Sequence, residues 1–137
     1  MKVQRFYIEK YDWVVTAYYA VTRYYVDEIL DNLEDIGCDG KFLLDAEKNL
    51  RTNKLNTGLT FSNSRGRKSV MVIALTTSAK EFHRSLVHEI RHLQSHIASA
   101  YKIDEKSEEV CYLMDDIIDI VHDKVAHLLC NCCRKEE

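Results

Sequence analysis

The spacing of apolar residues switches between strand and helix periods along this chain. Val3 to Ile8 and Trp13 to Thr22 are rich in β-branched and aromatic side chains, with polar Glu9-Lys10-Tyr11-Asp12 between them, which predicts a hairpin. Val26, Ile29, Leu30, Leu33 and Ile36 then keep helical spacing up to Gly37. Cys38-Asp39-Gly40 reads as a turn, followed by a short helix from Phe42 to Leu50. Gly58 to Ser62 and Ser69 to Leu75 are strand-like again, and the turn-rich Asn63-Ser64-Arg65-Gly66-Arg67 closes them into a second hairpin. Ser78-Ala79-Lys80-Glu81 is a capping box, so a helix is expected from about Ala79, with Phe82, Leu86, Ile90, Leu93, Ile97 and Tyr101 as its buried stripe. After a break at Lys102 to Lys106, Ser107-Glu108-Glu109 opens another helix carrying Val110, Leu113, Met114, Ile117, Val121, Val125 and Leu128. The order ββ-αα-ββ-αα predicts one α+β domain with a mixed or antiparallel sheet of about four strands. Residues 1–57 read as scaffold, 58–129 as an edge hairpin with two long helices, and 130–137 as a cysteine-rich tail.

The penultimate long helix carries the candidate chemistry, His88-Glu89-Ile90-Arg91-His92. Four residues make slightly more than one helical turn, so both imidazoles leave the same side about 6 Å apart along the axis, a spacing that suits one tetrahedral zinc. Glu89 lies beside them, within reach of a water that it could deprotonate. His88 and His92 fall roughly opposite the apolar stripe, which favours ligands over packed core histidines.

A catalytic zinc takes three protein ligands and keeps one open position. His96 lies about 12 Å from His88 by helix rise, too far along one straight helix to share the ion, and reads as a solvated or supporting residue. No glycine follows His92 to turn the chain back. The short link to the next helix should bring one of its first-turn carboxylates, Glu108 or Glu109, toward the histidines.

Leu86-Val87-His88-Glu89-Ile90-Arg91-His92-Leu93 with Ser107-Glu108-Glu109-Val110-Cys111-Tyr112-Leu113 resembles the zincin metallopeptidase superfamily, in particular its small phage- and prophage-associated members. The resemblance runs from about Leu59 to Ile118 and implies a zincin-like fold, zinc and peptide-bond hydrolysis. By position it makes Glu108 the third ligand beside His88 and His92, and sets Tyr112 one turn further on as a donor to the tetrahedral oxyanion. Glu89 would take a proton from the attacking water and pass it to the leaving amine. In zincins an edge strand next to the metal helix binds extended peptide, which gives the second hairpin a role and makes a peptide or protein the expected partner. Two alternatives remain open. A non-catalytic structural or interaction protein could use zinc to pin its C-terminal helices, and an amidase resembling peptide deformylases would need Cys38 or Cys111 as third ligand.

Global properties narrow the classes further. At 137 residues the chain can bury about two thirds of its unfolded surface in one core without disulfides. A net charge of −3 disfavours general nucleic-acid binding, leaving Arg65, Arg67 and Lys68 as a local basic patch. No apolar run approaches a membrane span or a secretory signal, so a cytoplasmic protein is expected. Tyrosines crowd between Tyr7 and Tyr25, and strand alternation makes packing their expected role rather than a sugar or nucleic-acid platform. The odd set of five cysteines fits a reducing compartment. Cys38 and Cys111 are expected to be buried, and Cys130, Cys132 and Cys133 to be free thiols, with a structural metal site including His127 as the alternative.

Overall fold

Both predicted hairpins form, and the two long C-terminal helices start at Ser78 and Ser107 as expected. In this computed structural model, which describes residues 2–22, 25–54 and 57–134, strands β1 (Lys2–Ile8) and β2 (Trp13–Val21) are joined through a 3-10 turn, Glu9–Tyr11. That turn ends at Asp12 with φ +50°, a left-handed conformation that a short polar side chain tolerates. Asp12 also accepts from Tyr7 Oη at 2.6 Å and faces Arg67 Nη2 at 3.0 Å, which ties the tip of the first hairpin to the turn of the second.

Helices α1 (Val26–Asp35) and α2 (Gly40–Arg51) follow, then strands β3 (Gly58–Asn63) and β4 (Lys68–Ala74), helices α3 (Ala79–Ala100) and α4 (Glu108–Val125), and a short helix α5 (Asn131–Arg134). The fold is therefore α+β, with a four-stranded sheet in the order β1-β2-β4-β3. β1 pairs antiparallel with β2 (Phe6↔Val15), β2 parallel with β4 (Thr16↔Val70), and β4 antiparallel with β3 (Thr60↔Met71). The sheet is mixed, with β1 and β3 at its edges.

Alternation along the two central strands decides which helices each face receives. Trp13, Val15, Ala17 and Tyr19 of β2, with Met71 and Ile73 of β4, pack with Phe82, Leu86, Ile90, Leu93 and Ile97 of α3 and with Leu113, Ile117 and Val121 of α4. Tyr18, Val70 and Val72 point the other way, onto Ile29, Leu30 and Leu33 of α1 and Ala46 and Leu50 of α2. β4 is thus covered on both faces, which is why it reads as an unbroken apolar run. Each large aliphatic side chain removed from water contributes about 1.5–3 kcal/mol. Tyr11, Tyr18 and Tyr19 are buried while Tyr7 and Tyr25 are exposed. Tyr24 lies outside the described residues, as do positions 135–137 of the tail. No helix among the described residues is long and apolar enough to cross a membrane.

One expectation is corrected here. Cys38 is buried as expected, in the layer under α1 and α2, but Cys111 is exposed on α4. Cys111 lies between the buried positions Val110 and Leu113, just outside the stripe that faces the core.

Gly58 opens β3 at φ +150°, where a Cβ would stand 1.8 Å from the Val72 carbonyl oxygen and 3.2 Å from Glu89 Cγ. Gly58→Ala is expected to cost about 3 kcal/mol or more in urea unfolding, since backbone must move to admit the methyl group. Gly40→Ala is the control: φ is +61° but nothing lies within 4 Å, so only the backbone conformation is penalised, by about 1–2 kcal/mol. Equal losses at the two sites would refute the close approach of β3, β4 and α3 at Gly58.

Candidate metal and peptide site

α3 begins as its sequence dictates. Ser78 Oγ accepts from the Glu81 N–H at 3.2 Å, while the Glu81 carboxylate accepts from the Thr77 hydroxyl at 2.9 Å. Its apolar stripe faces the sheet, so residues on the far side are left to solvent. His88 and His92 are there, both exposed, with ring centroids 5.0 Å apart and planes at 71°. Two imidazoles on one tetrahedral ion, each nitrogen about 2.0–2.1 Å from it, would have centroids about 5 Å apart. The centroid separation matches that value.

Glu89 is placed differently from the sequence expectation that set it on the same open side. Only 2 % of its surface is exposed. Thr57 Oγ1 donates to Glu89 Oε2 at 2.7 Å and Thr60 Oγ1 to Oε1 at 2.9 Å. Successive helical residues are about 100° apart, and here the limit of burial falls between Glu89 and the histidines because β3 flanks α3 on that side. Each carboxylate oxygen has two acceptor sites, so each keeps one after its threonine is satisfied.

The third ligand is not gathered with the pair. Among the described residues no group of three His, Cys, Asp or Glu side chains is placed to hold a metal ion. Glu108 is exposed in the first turn of α4, whose N-cap Ser107 accepts from Val110 N–H, and the Glu108 side chain makes no hydrogen bond or ion pair among the described residues. Glu109 is engaged elsewhere, accepting from Tyr11 Oη at 3.1 Å with Lys10 Nζ at 3.6 Å. Tyr112 is 58 % exposed on α4. Cys38, on the opposite face of the sheet from α3, cannot serve as the amidase-type ligand. His127 Nδ1 lies 3.5 Å from Lys2 Nζ, and the tail cysteines form no metal cluster with it among the described residues.

Two further networks escaped the sequence reading. In the α3–α4 link, Glu105 accepts from Gln94 Nε2 at 2.9 Å, Ser95 Oγ at 2.9 Å and Arg91 Nη1 at 3.2 Å. These donors, Gln94 foremost, hold its carboxyl below the ordinary carboxylate range. The link is thereby clamped beside the histidine turn. The second network crosses the sheet: Trp13 Nε1 donates to Ser69 Oγ at 2.8 Å, Ser69 Oγ lies 2.6 Å from Ser62 Oγ, and Ser62 Oγ lies 2.7 Å from His96 Nδ1. Tryptophan can only donate, and Ser69 is 2 % exposed, so its proton goes to Ser62 and that of Ser62 to His96. His96 therefore carries its own proton on Nε2. The available signal was the small polar alternation Gly58-x-Thr60-x-Ser62, which puts hydroxyls on the α3 face of β3.

His96 also lines a cleft of about 320 Å³ with Phe42, Thr60, Phe61 and Ser62, along the unpaired edge of β3. A cleft of about 680 Å³ lies between β1 and α4, with no residue of α3 in its lining. Comparison with protein-family models, curated proteins and solved structures found no match for this chain.

Burial, with His92 nearby, pushes the His96 pKa below its ordinary 6.5. Below pH 6.5 the unfolded chain takes up a proton that folded His96 refuses, so metal-free protein should lose stability as pH falls, levelling off below the folded pKa. His96→Gln should flatten that part of a stability–pH profile, and nitrogen chemical shifts should report Nδ1 as the unprotonated nitrogen in wild type. A proton found on Nδ1 would reverse the assigned direction of the chain.

Proposed function

We propose that this chain is a zinc-dependent peptidase of the zincin type, with His88 and His92 holding the ion and Glu89 acting as general base. The observation that carries the reading is the exposed pair of rings at 5.0 Å, next to a carboxylate that is hydrogen-bonded to the edge strand β3 through Thr60. Bound zinc supplies Lewis acidity at a carbonyl oxygen and lowers the pKa of water toward about 7. Glu108, whose carboxylate has no other partner among the described residues, is the proposed third ligand, and Tyr112 one turn on is the proposed donor to the developing oxyanion.

An extended peptide pairing with the outer edge of β3 would run alongside α3, because Thr57 and Thr60 reach Glu89 and Ser62 reaches His96. The threonine bonds fix the Glu89 carboxylate and leave one acceptor site on each oxygen for the proton of an attacking water, which it then delivers to the leaving amine.

A second reading is favoured by one fact, the depth of Glu89. A carboxylate at 2 % exposure held by two threonines also serves as a clamp between α3 and β3, as in a zinc-stabilised structural or interaction protein without turnover. Metal analysis and a peptide library separate the readings. Zinc near one equivalent is expected in wild type and in Glu89→Gln, with turnover in the variant lower by about 10²–10⁴, while His88→Ala should lose metal and activity together. Zinc with no cleavage by wild type would leave the structural reading, and protein that ignores added zinc would end both.

A further inference from the structure

Ser62 on β3 and His96 on α3 form a contact to which the peptidase reading gives no chemical step. Ser62 Oγ lies 2.7 Å from His96 Nδ1. The direction of that bond is fixed from behind: Trp13 Nε1 donates to buried Ser69, Ser69 donates to Ser62, and Ser62 therefore presents its own proton to an unprotonated ring nitrogen. A hydroxyl oxygen has two acceptor sites, and that of Ser62 spends one on Ser69. One lone pair is left for attack, on an oxygen whose proton already points at a base.

The backbone adds a donor at the same residue. The Thr57 carbonyl accepts from the Ala74 N–H at 3.0 Å, and β3 and β4 then keep an unbroken antiparallel register from Gly58↔Ile73 to Asn63↔Lys68. Bonded and non-bonded pairs alternate in such a ladder. Leu59 and Phe61 thus turn their backbone groups to β4, whereas Thr60 and Ser62 turn theirs to the open edge of the sheet. Ser62 and His96 both line the cleft of about 320 Å³, whose apolar wall is Phe42 and Phe61, with ring centroids 5.3 Å apart.

We propose that Ser62 and His96 are a nucleophile and base that hydrolyse carboxylic esters carrying a short apolar acyl group, seated against Phe42 and Phe61. Ser62 Oγ attacks the acyl carbon, its proton passes to His96 Nδ1, and the carbonyl electron pair moves onto oxygen, where the edge-facing Ser62 N–H donates. The bond from acyl carbon to the alkoxy oxygen then breaks, and His96 gives the proton to the departing alkoxide. Water attacks the acyl-serine next and its proton goes to His96 Nδ1. The bond to Oγ breaks, Oγ recovers that proton, and the carboxylic acid leaves. None of these steps uses His88, Glu89 or His92, so the pair is independent of the peptidase reading.

The test treats full-length protein with p-nitrophenyl butyrate and, separately, with a fluorophosphonate probe, read by absorbance and by peptide mapping. Wild type should release p-nitrophenol in an initial burst of about one equivalent, and the probe should map to Ser62. A zinc-bound water leaves no adduct on serine, so the mapped adduct separates the two chemistries. Ser62→Ala should lose both burst and label, and His96→Gln should slow both by about 10²-fold. Ser64→Ala, which removes an exposed hydroxyl from the same cleft, should behave as wild type. Because the mapping is done on wild type, it does not depend on how well the variants fold. Wild type that neither bursts nor labels, an adduct carried by another residue, or wild-type rates in Ser62→Ala would overturn the proposal.

Discussion

A carboxylate withdrawn from water costs several kcal/mol unless hydrogen bonds replace its hydration, and Glu89 meets that demand through Thr57 and Thr60. The arrangement constrains its surroundings. Thr60 must face α3, which fixes the register of β3, and Gly58 two residues earlier must present no side chain where the strand passes Val72 and the Glu89 methylene. With Glu89 turned inward to the strand, His88 and His92 remain exposed. The position of the candidate ligands is therefore a consequence of how one buried acid is satisfied.

The two flanks of α3 are secured by different means. Toward β3, the chain from Trp13 through Ser69 and Ser62 to His96 links β2, β4, β3 and the helix in one series of hydrogen bonds. On the other flank, Glu105 gathers Arg91, Gln94 and Ser95 and so fixes where the link to α4 leaves. Arg91, an unspecified position of the histidine motif, thus has a structural task. Such networks rigidify a site when every member is satisfied.

Much of this was legible in the chain. Ser78 and Ser107 announce their helices, the apolar stripes of α3 and α4 give the buried residues except Tyr101, which is exposed past the end of α3, and Met114, which is half-buried, and both hairpins follow from residue type and turn composition. Sequence periodicity could not supply the parallel pairing of β2 with β4, because both strands are apolar on both faces and accept either partner. Nor could it place Glu89, since a helical period gives direction around an axis without saying which flank a neighbouring strand will cover. Cys111 is a different case, since it lies off the apolar stripe that Val110 and Leu113 mark on α4. Glu109 is engaged by a partner distant in sequence, Tyr11, a contact that helical spacing does not reveal.

The parallel seam at the middle of the sheet also sets the order of assembly. Each antiparallel hairpin closes through a short turn, whereas Val14 and Lys68 must meet across about fifty positions of chain that include α1 and α2. Loop-closure entropy delays that encounter until both ribbons exist, and until then the later docking faces of β2 and β4 are open to water and to one another's copies. The rate of reaching the native state is governed by the joining of two preformed halves, so the element that unites the sheet is also the slowest part of it to appear.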